Sequence, residues 1–263
     1  MYYSQLRVDP LNPNKIWALG SPLFVSIDGG KKFTSEHTAD RIHVDHHALW
    51  INPHDPDHMI LGGDGGLYIT YDGCRNWDFI DNLPIGQYYA IGVDNRRPYW
   101  IYGGTQDNGT WGVPSRTYSQ LGIMNCDVVN IAYGDGFYAA VCPQDYRIIL
   151  AESQNGRLYR VDLVTREEKG LRPVPPDPQE KYRWNWSCPL IISPHDPQTI
   201  YYGGNKLFKS TDLGHSWEVI SPDLTRNQDW KKLPIMGVIR NEDTLSRDDG
   251  VAHYGTITTI SES

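Results

Sequence analysis

The sequence predicts an all-β chain of short antiparallel strands, four to a blade, repeated every 40–50 residues or so. Three observations predict it. Three segments align: NPNKIWALGSPLFVSIDGGKKF (Asn12 to Phe33), DPDHMILGGDGGLYITYDGCRNW (Asp55 to Trp77) and DPQTIYYGGNKLFKSTDLGHSW (Asp196 to Trp217). Each runs from an Asn/Asp-Pro turn through a strand, a Gly-containing turn and a second strand to Ser/Thr-x-Asp-x-x-x-x-aromatic. A further apolar strand precedes the turn in HALWINP, YYAIGVD, FYAAVCP and PLIISP, and DFID and EVIS after the aromatic supply a fourth. The 9 Trp and 17 Tyr favour pleated surfaces, and the 25 Gly and 18 Pro are scattered as turn punctuation rather than clustered. Four short strands per repeat at this period make a β-propeller blade. A Greek-key sandwich gives no reason for the same strand–turn–strand to recur.

Taken in order, the units cover about residues 1–42, 43–85, 86–126, 127–170 and 184–225, with the start of a further unit at 253–263. The third and fourth keep the strand–turn–strand (Asn95 to Val113, Gln144 to Asp162) and lose the Asp-containing ending. LRPVPPDPQEKYRW (Leu171 to Trp184) is a proline-rich excursion between units, either a lip over one face or a long connector. The final TITTISES has a strand pattern without a partner, so five to six blades leave the ring open and the rest of a longer chain is expected to close it.

Composition excludes several function classes. The net charge is −8 with no basic stripe, which argues against nucleic acid as a partner. No apolar run is long enough to span a bilayer, so no transmembrane segment is expected. MYYSQLRVDP lacks the charged and apolar regions of a signal peptide. Cys74, Cys126, Cys142 and Cys188 lack zinc-site spacing and read as reduced thiols, with a Cys126–Cys142 disulfide as the alternative. No cofactor is expected.

The repeated ending comprises Ser26, Asp28, Gly30 and Phe33; Thr70, Asp72 and Trp77; and Ser210, Asp212, Gly214 and Trp217. Its logic is local. The Asp and Ser/Thr side chains bond backbone amides of a tight hairpin, Gly takes a positive φ, and the aromatic folds beneath. Cys74 stands where Gly is usual, so the second copy is expected to be strained or differently built.

These residues resemble the Asp-box (BNR) repeat proteins, a set that includes sialidases, xyloglucan-active glycoside hydrolases and the sortilin luminal domain. The resemblance extends over HVDHHALWINPHDPDHMILGGDGGLYITYDG, LPIGQYYAIGVDNRRPYWIYGGTQDNGTWG and GTITTISES, and is nearest to large bacterial proteins described as "glycosyl hydrolase, BNR repeat" or sortilin-like. It implies a longer, exported protein of periplasmic, extracellular or cell-surface location.

Strand alternation places candidate ligand-binding groups on one face. The turns between second and third strands and the entries to first strands share the face where propellers bind ligands. Asp64 (GGDGG) and Asp107 (TQDNG) lie in such turns, with Asn155 and Asn205 at related places. Asp45 and Asp135 fall eight positions before Pro53 and Pro143, and the same offset gives Gln87 and Trp186. His43, His46 and His47 flank Asp45, with Tyr88, Tyr89, Arg183 and Trp184 nearby.

The expected site is therefore Asp64 and Asp135 as catalytic candidates, and Asp45, His46, Gln87, Tyr88, Asp107 and Trp186 as ligand-binding ones. Glycoside hydrolysis needs two carboxyl groups flanking the scissile bond. The xyloglucan-active relatives carry a catalytic Asp in an Asp-x-Gly-Gly turn, and the resemblance assigns that role to Asp64 alone. Its partner there comes from a second propeller. Arg7, Arg41, Arg116 and Arg183 do not fall at matching repeat positions, which disfavours a sialidase. Asp and Asn beside Gly are also what tight turns use. His43, Asp45 and His47 alternate onto one side of an extended segment and are the only metal candidates; no spacing motif supports them, and no metal is expected. Two functions follow: a glycan-binding or glycoside-hydrolase-like propeller segment, or a non-enzymatic sortilin-like scaffold for peptides or proteins. Fold alone does not separate them.

Overall fold

The structure, a computed structural model, describes residues 3–35, 42–83, 85–244 and 254–263. Arg41 lies outside these residues. The chain divides into two compact units, Met1–Gly86 and Gln87–Ser263. Every sheet in both is an antiparallel meander, as expected of propeller blades.

The first unit holds two sheets. One pairs β1 (Leu6–Val8), β2 (Ile16–Leu19) and β3 (Leu23–Ser26). A single bridge from Val25 to Thr34 stands where a fourth strand would run. The other pairs β4 (His46–Ile51), β5 (Met59–Gly63), β6 (Gly66–Thr70) and β7 (Asp78–Ile80). The alternation seen in the sequence aims Trp17, Leu19, Leu23, Leu49, Met59, Leu61 and Tyr68 into one buried cluster.

The second unit holds three sheets. They are β8 (Tyr88–Val93), β9 (Trp100–Thr105), β10 (Gly109–Pro114) and β11 (Val129–Ala132); β12 (Gly136–Val141), β13 (Ile148–Ser153), β14 (Arg157–Asp162) and β15 (Glu168–Gly170); and β16 (Leu190–Ile192), β17 (Ile200–Gly203), β18 (Leu207–Ser210) and β19 (Glu218–Val219). Ile200, Tyr202 and Phe208 are fully buried, each contributing roughly 2 kcal/mol of apolar burial.

Three placements differ from the expectation. β11 pairs with β10 and completes the third sheet, so residues 129–132 fall before the unit boundary rather than after it. The excursion at 171–184 is neither lip nor free connector. Trp184 is buried and stacks on Tyr202 and Phe208, each at 5.1 Å between centroids, so the excursion supplies core. Residues 254–263 form no strand. Ile257 donates its N–H to the Gly204 carbonyl, and Tyr201 donates its hydroxyl to Glu262, which lays this segment along β17.

The three Ser/Thr-x-Asp turns are built alike. The first side chain donates to the Asp (Ser26 to Asp28 at 2.8 Å, Thr70 to Asp72 at 3.0 Å, Ser210 to Asp212 at 2.7 Å) and accepts the N–H of residue 30, 74 or 214. Each turn needs two successive left-handed residues: Gly29 and Gly30, Gly73 and Cys74, Leu213 and Gly214. Cys74 adopts φ 78° in the same turn, so the second copy is strained rather than differently built. The indole of Trp217 donates to the Leu171 carbonyl at 2.7 Å, whereas Phe33 is 37% exposed and does not fold fully beneath its hairpin. All four cysteines are free.

Candidate functional site

In the first unit, the β5–β6 turn carries Asp64 and the entry to β4 carries His43 to His47. A side chain at Gly65 would place Cβ 2.0 Å from the His43 Cβ, so only glycine lets the histidine segment lie against the turn. The Asp64 N–H bonds the Asp45 carbonyl at 3.1 Å, and Asp45 holds φ 70°. Two carboxylates converge: Asp45 and Asp64 each present an oxygen within 4.8 Å of the other. Both have partners. His47 Nε2 lies 2.9 Å from Asp64, and the Tyr3 hydroxyl donates to Asp45 while its ring stacks on His47 at 5.7 Å.

The neighbouring histidines do other work. His46 is 2% exposed, which removes it from the ligand-binding set; burial pushes its imidazole down to about 4 and leaves Nδ1 without a partner. His43 Nδ1 faces the Val44 carbonyl at 2.8 Å. Among the described residues, Asp45 belongs to a group of side chains close enough to share an ion, but neither His43 nor His47 does.

In the second unit, turns of one sheet are tied to the entry of the next. The Asp107 N–H donates to Asp135 Oδ1 at 3.0 Å, and the Asn155 N–H donates to the Trp186 carbonyl at 3.3 Å. Asp135 is buried at 5% exposure, with its carboxylate directed at this backbone amide. Gly104 allows the third and fourth sheets to meet, since a Cβ there would sit 1.9 Å from the Gly136 carbonyl carbon. Each of β4, β8 and β12 has a register irregularity one to four residues after Asp45, Gln87 or Asp135, so the offset counted in the sequence marks a recurring structural position.

These entries assemble an aromatic shelf. Tyr89 from β8 packs on Phe137 from β12 at 4.6 Å between centroids, and Phe137 meets Trp186 edge-on at 6.3 Å. Phe137 is buried, whereas Tyr89 and Trp186 stay 43% and 45% exposed. The Tyr89 hydroxyl donates to the Gln106 carboxamide at 2.9 Å, giving the shelf a polar rim. Gln87 lies alongside, its carbonyl accepting the Gln106 N–H, and Tyr88 packs over Gly103 with 46% exposure. Arg183, by contrast, is held by Asp223 and Thr225 at 2.8 and 2.7 Å, in a network completed by Asn205.

Glu152 was not singled out from the sequence. It is fully buried on β13, and burial pushes its carboxyl up to about 9, so it is protonated at neutral pH. Its Oε1 accepts the Cys188 N–H at 3.0 Å, which fixes the segment that carries Trp186. The signal was present: in IILAES a charged residue follows four apolar ones within a strand.

No protein-family model and no curated protein matches the chain. Solved structures similar to it include the GH74 enzyme of Niastella koreensis, at 15% identity and TM-score 0.36, over 83% of this chain and 38% of that one. YCF48 bound to D1 peptide is similar at 13% identity and TM-score 0.37, over 78% and 63%. An auxiliary nutrient binding protein from Bacteroides thetaiotaomicron VPI-5482 is similar at 14% identity and TM-score 0.33, over 87% and 43%. The chain thus spans less than two thirds of the length of each.

Proposed function

We propose that the chain is a carbohydrate-binding segment of an exported Asp-box propeller protein, and that the shelf of Tyr89, Phe137 and Trp186 receives the sugar. One observation carries this reading. Two half-exposed aromatic rings flank a buried third beside a polar rim, all within the second unit. The apolar face of an aromatic ring packs on the C–H face of a sugar, while Gln106, Gln87 and the Tyr89 hydroxyl take its hydroxyl groups. Export rests on the Asp-box resemblance; among the described residues no helix is long and apolar enough to cross a membrane. The test is a glycan-array screen of the wild type beside Trp186→Ala and Tyr89→Ala. The reading expects wild-type binding that both variants lose. A folded wild type that binds peptides and no glycan would favour the scaffold function.

The carboxylate pair of the first unit supports a second reading, hydrolysis of a glycosidic bond. Asp45 and Asp64 each bring a carboxylate oxygen within 4.8 Å of the other, and a retaining glycosidase likewise needs two carboxyl groups close together, roughly 5 Å apart. Asp64 is then the residue to test, in an Asp64→Asn variant assayed for release of reducing ends from any glycan the wild type binds. Unchanged release would remove Asp64 from the chemistry.

A further inference from the structure

A half-open cavity of ≈ 320 Å³ lies in the second unit at the end of the β14–β15 hairpin, the end remote from the 154–156 turn beside the shelf. Its lining includes Arg160 from β14, Lys169 from β15 and His215 from the Ser210-to-Trp217 turn, with Asp162 and Glu167 beside them. Both ring nitrogens of His215 face cations. Arg160 Nη1 contacts Nε2, and Lys169 Nζ lies 3.3 Å from Nδ1.

This arrangement has more donors than acceptors. A guanidinium and an ammonium carry only donors, and a neutral imidazole accepts at one nitrogen alone. One of the two cations therefore faces an N–H, or the imidazole is itself charged and faces both. The neighbouring acids do not relieve the mismatch. Asp162 Oδ1 accepts the N–H groups of Val164 and Thr165 at 2.7 and 3.0 Å, which builds its own turn. Among the described residues neither Arg160 nor Lys169 forms an ion pair, although six other pairs are present.

We propose that this cavity is an oxyanion-binding site, in which Arg160, Lys169 and His215 together hold a sulfate, phosphate or carboxylate group of a ligand. An oxyanion supplies the missing acceptors to all three donors at once, and the guanidinium fork suits two of its oxygens. The site lies at the other end of the fourth sheet from the shelf and stands or falls independently of it.

The test is an NMR titration of the His215 ring resonances with sodium sulfate, sodium phosphate and sodium glucuronate, each at ionic strength held constant with sodium chloride. Saturable shifts are expected with at least one of the three. Saturation with sulfate or phosphate alone identifies a tetrahedral ester as the ligand group, and saturation with glucuronate alone a carboxylate. Lys169→Gln, at an exposed position, and Arg160→Gln are each expected to weaken binding roughly tenfold or more. Lys206→Gln, which removes an ammonium already paired with Glu180, is expected to leave it unchanged. A linear response indistinguishable from that to sodium chloride would overturn the proposal, as would saturable binding that survives both substitutions.

Discussion

Asp212 and Trp186 occupy opposite ends of the blades in the second unit, and the structure uses those ends differently. At the Ser/Thr-x-Asp end, Asp212 is consumed by its own loop: it accepts from the Ser216 N–H at 2.9 Å, the Ser216 hydroxyl at 2.6 Å and the Ser210 hydroxyl. Burial opposes its ionisation, yet these bonds prevail and hold its carboxyl down to about 2. At the shelf end, Trp186 and Tyr89 leave nearly half their surface to solvent although a buried ring lies between them. The same repeat thus carries a closed end that holds the hairpin and an open end that presents aromatic surface. An acid beside glycine is therefore not a functional acid until its partners are known.

Glu152 gives the largest expected effect, because it lies buried beneath the open end. Its folded pKa is raised from 4.5 to about 9, so between those values the folded state keeps a proton that the unfolded state has lost. Stability from this group is full below pH 4.5 and falls as pH rises to about 9. Glu152→Gln is expected to raise unfolding free energy at pH 8 by on the order of 2–4 kcal/mol and to have little effect at pH 4.5, measured by urea titration at both values. Equal effects at both pH values would mean that the acid is not protonated in the fold.

Asp212→Ala comes next, with an expected loss of about 2 kcal/mol from charge-assisted bonds to Ser210 and Ser216. An unfolding free energy unchanged by the substitution would show that the closed end is not held by this carboxylate. Gly30→Ala is smaller, about 1 kcal/mol, and comes from the backbone alone. Gly30 sits at φ 87°, while a Cβ there would meet Ile16 at an ordinary 3.6 Å. A neutral result would mean that the turn relaxes out of the left-handed region.

The closed end was legible in the sequence because its chemistry is local. Ser210, Asp212 and Gly214 meet within five residues, and three copies repeat the pattern. Strands marked by alternation and Asn/Asp-Pro turns were legible for the same reason. β11 was not, since fourteen residues separate it from β10 and no Asp turn announces it. Trp184, which closes the proline-rich excursion and which the sequence places near the ligand-binding face, instead stacks on Tyr202 and Phe208, which lie eighteen and twenty-four residues onward. The open end was legible only in part. Counting back eight positions from Pro143, Asn95 and Pro194 found Asp135, Gln87 and Trp186, but whether a side chain faces solvent or a backbone amide depends on the next sheet. Asp135 turned to Asp107, His46 turned inward, and the Phe137 ring that joins Tyr89 to Trp186 carried no motif.

The most direct measurement compares glycan binding by wild type, Trp186→Ala and Asp212→Ala on one array, with unfolding curves taken in parallel. The account predicts that Trp186→Ala loses binding at least tenfold while keeping wild-type stability, and that Asp212→Ala loses stability while its folded fraction binds as the wild type does. Wild-type binding undiminished by Trp186→Ala, or no glycan binding by a folded wild type, would contradict it.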